Sequence, residues 1–157
     1  MISRTNYYVL GREKTIELMN EKAKAILMEK TNFADPSGVS PANLSTARDL
    51  FYLARYILTA CPPLLKISKG EEVETFGIPV RFSNLENKNI FSGHPNFLGG
   101  KTGYTPFANN TGIFIFGLTN QGNLTRKIVI ILLGAEYLKR DMEGILGWLK
   151  ENYHFAK

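Results

Sequence analysis

Apolar side chains at Ile16, Met19, Ala23, Ile26 and Leu27 recur at steps of three and four residues, so they share one helix face and predict an amphipathic helix from about Arg12 to Met28. Thr31-Asn32-Phe33-Ala34-Asp35-Pro36-Ser37-Gly38-Val39-Ser40-Pro41 then breaks the period, and Pro36 and Gly38 keep any regular element from crossing it. An ordered loop is expected there. Ser45 stands at an N-cap position ahead of Thr46-Ala47-Arg48-Asp49, and Leu50, Leu53, Ala54, Ile57 and Leu58 predict a second helix ending near Ala60, before Pro62-Pro63.

Beyond the prolines the period shortens. Val73, Thr75, Phe76, Ile78 and Val80, interrupted by Gly77 and Pro79, predict a short irregular hairpin or edge strands within Glu72 to Phe82. Leu98 to Tyr104, Ile113 to Thr119 and Arg126 to Leu133 predict three strands, with a hairpin turn at Asn120-Gln121-Gly122-Asn123 joining the last two. Ile113 to Phe116 and Ile128 to Leu133 run without polar alternation, so both sheet faces should be covered, and helices must supply the cover. Tyr137 to Tyr153 predicts one such helix, with Leu138, Met142, Ile145, Leu146, Trp148 and Leu149 as its core stripe. No repeat, low-complexity tract or linker interrupts the chain, so residues 1–157 are expected to form part of one domain.

Composition narrows the class. At 157 residues, 44% hydrophobic and 21% charged, the chain has the material for a folded core. No apolar run reaches the roughly 18 residues of a membrane-spanning helix, and Met1-Ile2-Ser3-Arg4-Thr5-Asn6 lacks the apolar core of a signal peptide. The net charge of +5 suits an anionic partner, but Lys and Arg interleave with Glu as solvated helix faces and no basic cluster carries stacking aromatics. Nucleic-acid binding is therefore not expected. Cys61, the single cysteine, excludes an internal disulfide and is expected to be a small buried side chain. His94 in an exposed loop and His154 in the tail are too far apart to suggest a metal site, and nothing calls for a cofactor.

The candidate chemistry lies in Gly99-Gly100-Lys101-Thr102-Gly103-Tyr104-Thr105-Pro106. A phosphate-binding loop is excluded by spacing, because the required glycine five residues before Gly100 is Pro95, and a strand rather than a helix follows. On an edge strand these residues suit another task. The backbone of Lys101 to Tyr104 would pair with an extended peptide, the Lys101 ammonium and Thr102 hydroxyl would meet a carboxylate or acyl group, and Gly103 would allow close approach. Tyr104 and Phe107 would shape the rim or pack locally.

Further blocks occur in order around this triplet. Glu17-Leu18-Met19-Asn20 with Ala23-Lys24, then Thr31 to Ser40, then Leu44-Ser45-Thr46-Ala47-Arg48-Asp49-Leu50, Asn87-Lys88-Asn89, and Leu132-Leu133-Gly134-Ala135 with Arg140 and Trp148 span roughly Gly11 to Tyr153. Together with Lys-Thr-Gly they resemble the D-alanyl-D-alanine carboxypeptidase family of low-molecular-mass penicillin-binding proteins. The resemblance implies an α+β, β-lactamase/transpeptidase-like fold with an antiparallel sheet flanked by helices. It also implies a serine that attacks the D-Ala-D-Ala end of the peptidoglycan stem peptide, β-lactams as further ligands, and a location outside the cytoplasmic membrane. Carried over by residue, Lys101 would bind the terminal carboxylate, Thr102 would assist, and Gly103 with Tyr104 would line the peptide-binding strand.

The nucleophile motifs of that family are missing. None of the seven serines, Ser3, Ser37, Ser40, Ser45, Ser68, Ser83 and Ser92, begins S-x-x-K or S-x-N. No catalytic residue is assigned, because covalent catalysis has no first step without the activated serine. The expectation is an incomplete peptidase domain without its N-terminal strands and nucleophile helix, inactive alone, arising from a truncated gene, a fragment or a misread start. A noncatalytic stem-peptide binder and one half of a split enzyme remain as alternatives.

Overall fold

The computed structural model describes residues 11–75, 78–80, 86–120 and 123–153. These fall into two compact units, one ending at Thr59 and the other beginning at Ala60.

In the first unit, α1 runs Arg12–Ala25. It is shorter than the periodicity predicts, because the chain turns left-handed at Leu27 (φ 67°) and returns the Met28 amide to the Ala23 carbonyl at 2.9 Å. That turn leaves Leu27 54% exposed and sends Met28 inward to 2%. Burying a methionine is worth about 2 kcal/mol, enough to offset the roughly 1 kcal/mol cost of a left-handed leucine. Asn20 ties α1 to the following loop, donating to the Phe33 carbonyl at 2.8 Å while its Oδ1 accepts the Phe33 amide at 2.8 Å.

The loop is ordered, and Asp35 is its centre. Its buried carboxylate accepts the amides of Ser37 (2.5 Å), Gly38 (2.7 Å) and Ser40 (2.5 Å), the Ser37 hydroxyl (2.6 Å) and Asn43 Nδ2 (3.0 Å). Burial pushes this acid up, but the hydrogen bonds from Ser37, Ser40 and Gly38 outweigh it and hold Asp35 far below the usual carboxylate range. Helix α2 follows at Ala47–Ala60. Its cap is Thr46, not Ser45: Thr46 Oγ1 accepts the Asp49 amide at 3.2 Å, whereas Ser45 is bonded to the Thr31 hydroxyl at 2.8 Å. Asp49, one turn in, accepts the Thr31 hydroxyl (2.7 Å) and the Lys30 amide (2.8 Å), so the loop is sewn to the helix start.

The second unit opens with a helix that periodicity did not predict, α3 at Pro63–Lys69. Pro63 fits its first turn and Gly70 closes it left-handed (φ 85°), with the Glu71 amide returning to the Lys66 carbonyl at 3.0 Å. The short strands β1 (Val73–Thr75) and β2 (Ile78–Val80) pair antiparallel as expected; Phe76, Gly77 and Phe82 lie outside the described residues. The main sheet is β3 (Phe97–Thr105), β4 (Asn109–Asn120) and β5 (Asn123–Ala135), antiparallel in that order. Each strand exceeds its predicted span. Asn120 pairs with Asn123, and the predicted turn residues Gln121 and Gly122 between them lie outside the described residues, as does His154.

One face of this sheet carries Phe97, Phe114, Phe116 and Ile130, packed with Phe91 and with Met142 of the final helix α4 (Leu138–Asn152). Phe91 meets Phe114 and Phe116 edge to face at 5.4 and 5.9 Å, and buried phenylalanines of this kind are worth about 2 to 3 kcal/mol each. Trp148 departs from the expected core stripe: it is 56% exposed and stacks edge-on against Tyr153 at 6.2 Å. It lies a step beyond Ile145 and Leu149, off the arc that faces Met142's neighbours. Cys61 is half-buried rather than buried. On the second face Ile115 is buried, but Leu133 is 47% exposed, so cover fades along β5. Among the described residues no single helix is long and apolar enough to cross a membrane.

Helix α3 sits against β3 at the glycine pair. A Cβ on Gly99 would lie 2.9 Å from the Leu65 Cα and carbonyl oxygen, and one on Gly100 would collide with the Ile113 carbonyl. A Cβ on Gly103 would meet only Thr111 Oγ1 at 3.6 Å, an ordinary contact.

Two predictions follow from this packing. Gly99→Ala and Gly100→Ala should each destabilise the chain by about 2 kcal/mol or more in urea titration, whereas Gly103→Ala should stay within about 0.5 kcal/mol. Asp35→Asn should cost about 2 kcal/mol or more at pH 7, since several donors lose their acceptor. Because the folded acid titrates below the unfolded one, its contribution is fully present above about pH 4 and is lost as pH falls further. Thermal melts of wild type and D35N should therefore converge in acid.

Candidate functional site

Lys101 and Thr102 lie mid-strand on β3, opposite Ile113 and Gly112 of β4. With Ser68, Asn87, Lys88 and Asn89 they line an open cleft of about 290 Å³. Sequence alone identified the strand residues and noted the Asn87-Lys88-Asn89 block, but it missed Ser68. The signal was available: Pro62-Pro63 opens and Gly70 closes a short helix around it.

Hydrogen bonds fix this wall of the cleft. The Gly100 amide donates to Ser68 Oγ at 2.9 Å, and that hydroxyl donates to the Leu65 carbonyl at 2.7 Å. Asn87 Nδ2 donates to the Ser68 carbonyl at 3.0 Å, and Asn87 Oδ1 accepts the Asn89 amide at 2.9 Å. Asn89 Oδ1 accepts the Phe91 amide at 3.1 Å, which ties the chain of bonds to the aromatic core; its buried Nδ2 has no acceptor among the described residues. Both functions of the Ser68 hydroxyl are thus engaged with backbone, the pattern of a structural hydroxyl rather than an activated nucleophile.

The direction of the Gly100 amide decides what the strand edge offers. It points away from β4, and strand alternation sends the N–H and C=O of Thr102 and Tyr104 the same way. Among the described residues no strand pairs with that edge of β3. An extended chain could add there, with Thr102 and Tyr104 supplying its backbone partners.

Lys101 alternates onto the sheet face, is exposed, and donates from Nζ to the Thr102 carbonyl at the same edge. It has no carboxylate partner among the described residues, while Lys88 pairs with Glu86 in an exposed and therefore weak bridge. A lone ammonium beside open backbone groups suits an anionic peptide terminus. Gly103 has room for a side chain within the fold, so its lack of one matters only to whatever lies over the strand. Tyr104 and Phe107, 66% and 77% exposed, are surface residues and not core.

His94 is not brought to this cleft. It is half-buried rather than exposed, stacked on Phe116 at 5.3 Å with Nδ1 accepting the Asn96 amide at 3.2 Å, and it lines a separate hollow beside Leu146 and Lys150.

Comparison with known proteins identifies the family and the fold. A family model described as D-alanyl-D-alanine carboxypeptidase matches residues 2–136. A D-alanyl-D-alanine carboxypeptidase of Escherichia coli is 30% identical over 151 residues, which cover 94% of this chain and 36% of the relative. A D-alanyl-D-alanine endopeptidase of the same organism is 35% identical over 107 residues, covering 66% of this chain and 34% of the relative. The chain thus spans about a third of the length of these relatives. Among solved structures, a D-alanyl-D-alanine carboxypeptidase from Mycobacterium tuberculosis aligns with TM-score 0.70 at 24% identity, over 98% of this chain and 60% of that one. Penicillin-binding protein 5 from Haemophilus influenzae aligns with TM-score 0.71 at 22% identity, over 94% of this chain and 42% of that one. These structures establish the fold as part of the penicillin-binding-protein, transpeptidase-like α+β architecture. With the family model covering most of its length, the chain belongs to the D-alanyl-D-alanine carboxypeptidase family of low-molecular-mass penicillin-binding proteins.

Proposed function

We propose that this chain is the substrate-recognising portion of a serine-type D-Ala-D-Ala peptidase that acts on peptidoglycan stem peptides outside the cytoplasmic membrane, its two compact units together forming part of one peptidase domain. The observation that carries the reading is the open β3 edge, with Lys101 and Thr102 beside it and no carboxylate partner for Lys101 among the described residues. In the reaction, a serine oxygen attacks the carbonyl of the penultimate D-Ala, the terminal D-Ala leaves with a proton on its nitrogen, and water then hydrolyses the acyl-enzyme. This chain contributes recognition to that sequence. Lys101 pairs with the terminal carboxylate, the Thr102 hydroxyl donates to it, and the backbone of Thr102 and Tyr104 holds the peptide extended over Gly103. Relatives named both carboxypeptidase and endopeptidase support the shared cleavage chemistry rather than either choice.

The absence of S-x-x-K and S-x-N from the sequence favours a second form of this reading, in which the chain alone binds stem peptides or β-lactams without acylation, or completes its site with a nucleophile carried on another chain.

Purified chain incubated with a fluorescent penicillin should give no covalent adduct by denaturing electrophoresis and intact mass. Calorimetric titration with N-acetyl-L-lysyl-D-alanyl-D-alanine should show saturable binding that Lys101→Ala weakens about ten-fold or more, the worth of a charge-assisted contact. A stoichiometric adduct would identify a serine nucleophile within the chain, and peptide binding indifferent to Lys101 would remove the assigned role of the strand.

A further inference from the structure

We propose that Ser68 is a positioning residue for the recognition strand: by taking up the Gly100 amide it fixes the approach to Lys101 and closes the upstream end of the open β3 edge. The inference deepens the carboxylate-binding reading of that strand and rests on it.

Three observations meet at this hydroxyl. First, Gly100 is the last residue before Lys101, and its N–H belongs to the same outward row as those of Thr102 and Tyr104, yet among the described residues it alone of the three finds a partner, at 2.9 Å from Ser68 Oγ. An incoming extended peptide therefore meets its first open backbone N–H at Thr102, whose carbonyl accepts Lys101 Nζ. A bond to Gly100 would shift the ligand by two residues along β3 and carry its carboxylate past Lys101.

Second, Ser68 is itself held at two points, one of them braced in turn. Its hydroxyl donates to Leu65, its carbonyl accepts Asn87 Nδ2, and Asn87 is locked by the Asn89 amide. Third, the two glycines have no side chains through which α3 could grip β3, and a Cβ on Gly99 would lie 2.7 Å from Ser68 Oγ. Polar attachment of the strand at this point thus passes through one oxygen. The register break between Phe97 and Gly99 leaves that stretch of β3 less firmly paired to β4, which makes the anchor consequential.

The test uses the whole chain as Ser68→Ala, with Ser68→Thr restoring the hydroxyl. Amide hydrogen exchange should accelerate about ten-fold or more at Gly100 in S68A, while Phe114 and Ile130 keep their protection as the control for folding. Affinity for N-acetyl-L-lysyl-D-alanyl-D-alanine relative to its C-terminal amide should fall several-fold in S68A, because a displaced Lys101 no longer distinguishes carboxylate from amide. S68T should recover both readouts. Unchanged exchange at Gly100 in S68A would overturn the anchor, and faster exchange with an unchanged carboxylate-to-amide ratio would reduce Ser68 to a fold-stabilising residue. If wild type binds neither peptide, the recognition reading fails, and Gly100 exchange alone then decides the anchor.

Discussion

The backbone of β3 meets the backbone of α3 at Gly99 with no room for a methyl group, and the strand that carries Lys101 is placed by that contact. Everything at the cleft is referred to it. One wall is the C-terminal turn of α3 with Ser68, the other is the strand itself, and the Asn87 to Asn89 turn is hydrogen-bonded to the first and joined to the aromatic core through Phe91. Apolar packing of Phe97, Phe114 and Phe116 against α4 supplies a stiff sheet from the opposite face. The site is thus a polar edge mounted on an apolar slab, the arrangement in which a few exposed groups can be held to a fixed geometry.

Charge has a divided role. The two strongly held carboxylates, Asp35 and Asp49, are committed to backbone amides and hydroxyls in the first unit, where they organise a loop that has little apolar material of its own. In the second unit Lys101 has no carboxylate partner among the described residues, and its ammonium lies exposed on β3. The same physics thus serves order in one place and, in the function proposed above, recognition in the other: a charge surrounded by partners fixes the chain, and an exposed ammonium can take an anion.

What was legible in the sequence follows from how much of each element's cause is local. The strands around Ile113 and Ile130 were readable as unbroken apolar runs, and the helix around Met142 because burial writes a period into it. The Lys101-Thr102-Gly103 triplet stood out because a lysine, a threonine and a glycine in that order form a recognisable motif, and its placement on β3 is as expected. The end of α1 was not, since Met28 turns inward to a neighbour that periodicity cannot see. Ser45 and Thr46 were equally good caps on paper, and the choice fell to Thr46 because the Thr31 hydroxyl engages Ser45. Trp148 was misplaced because an apolar stripe of six residues is wider than the face that α4 buries. The helix around Ser68 was signalled by Pro62-Pro63 and Gly70, but the role of its hydroxyl was not, because the partner is a backbone amide 32 residues away.

In the function proposed here, the open edge of β3 from Thr102 to Tyr104 holds an anionic peptide end. Mapping amide chemical shifts of the chain during titration with N-acetyl-L-lysyl-D-alanyl-D-alanine tests it most directly. The largest saturable shifts should fall at the Thr102 and Tyr104 amides, with β5 and α1 nearly unmoved. Shifts centred on the His94 and Lys150 hollow, or none at all on β3, would contradict it.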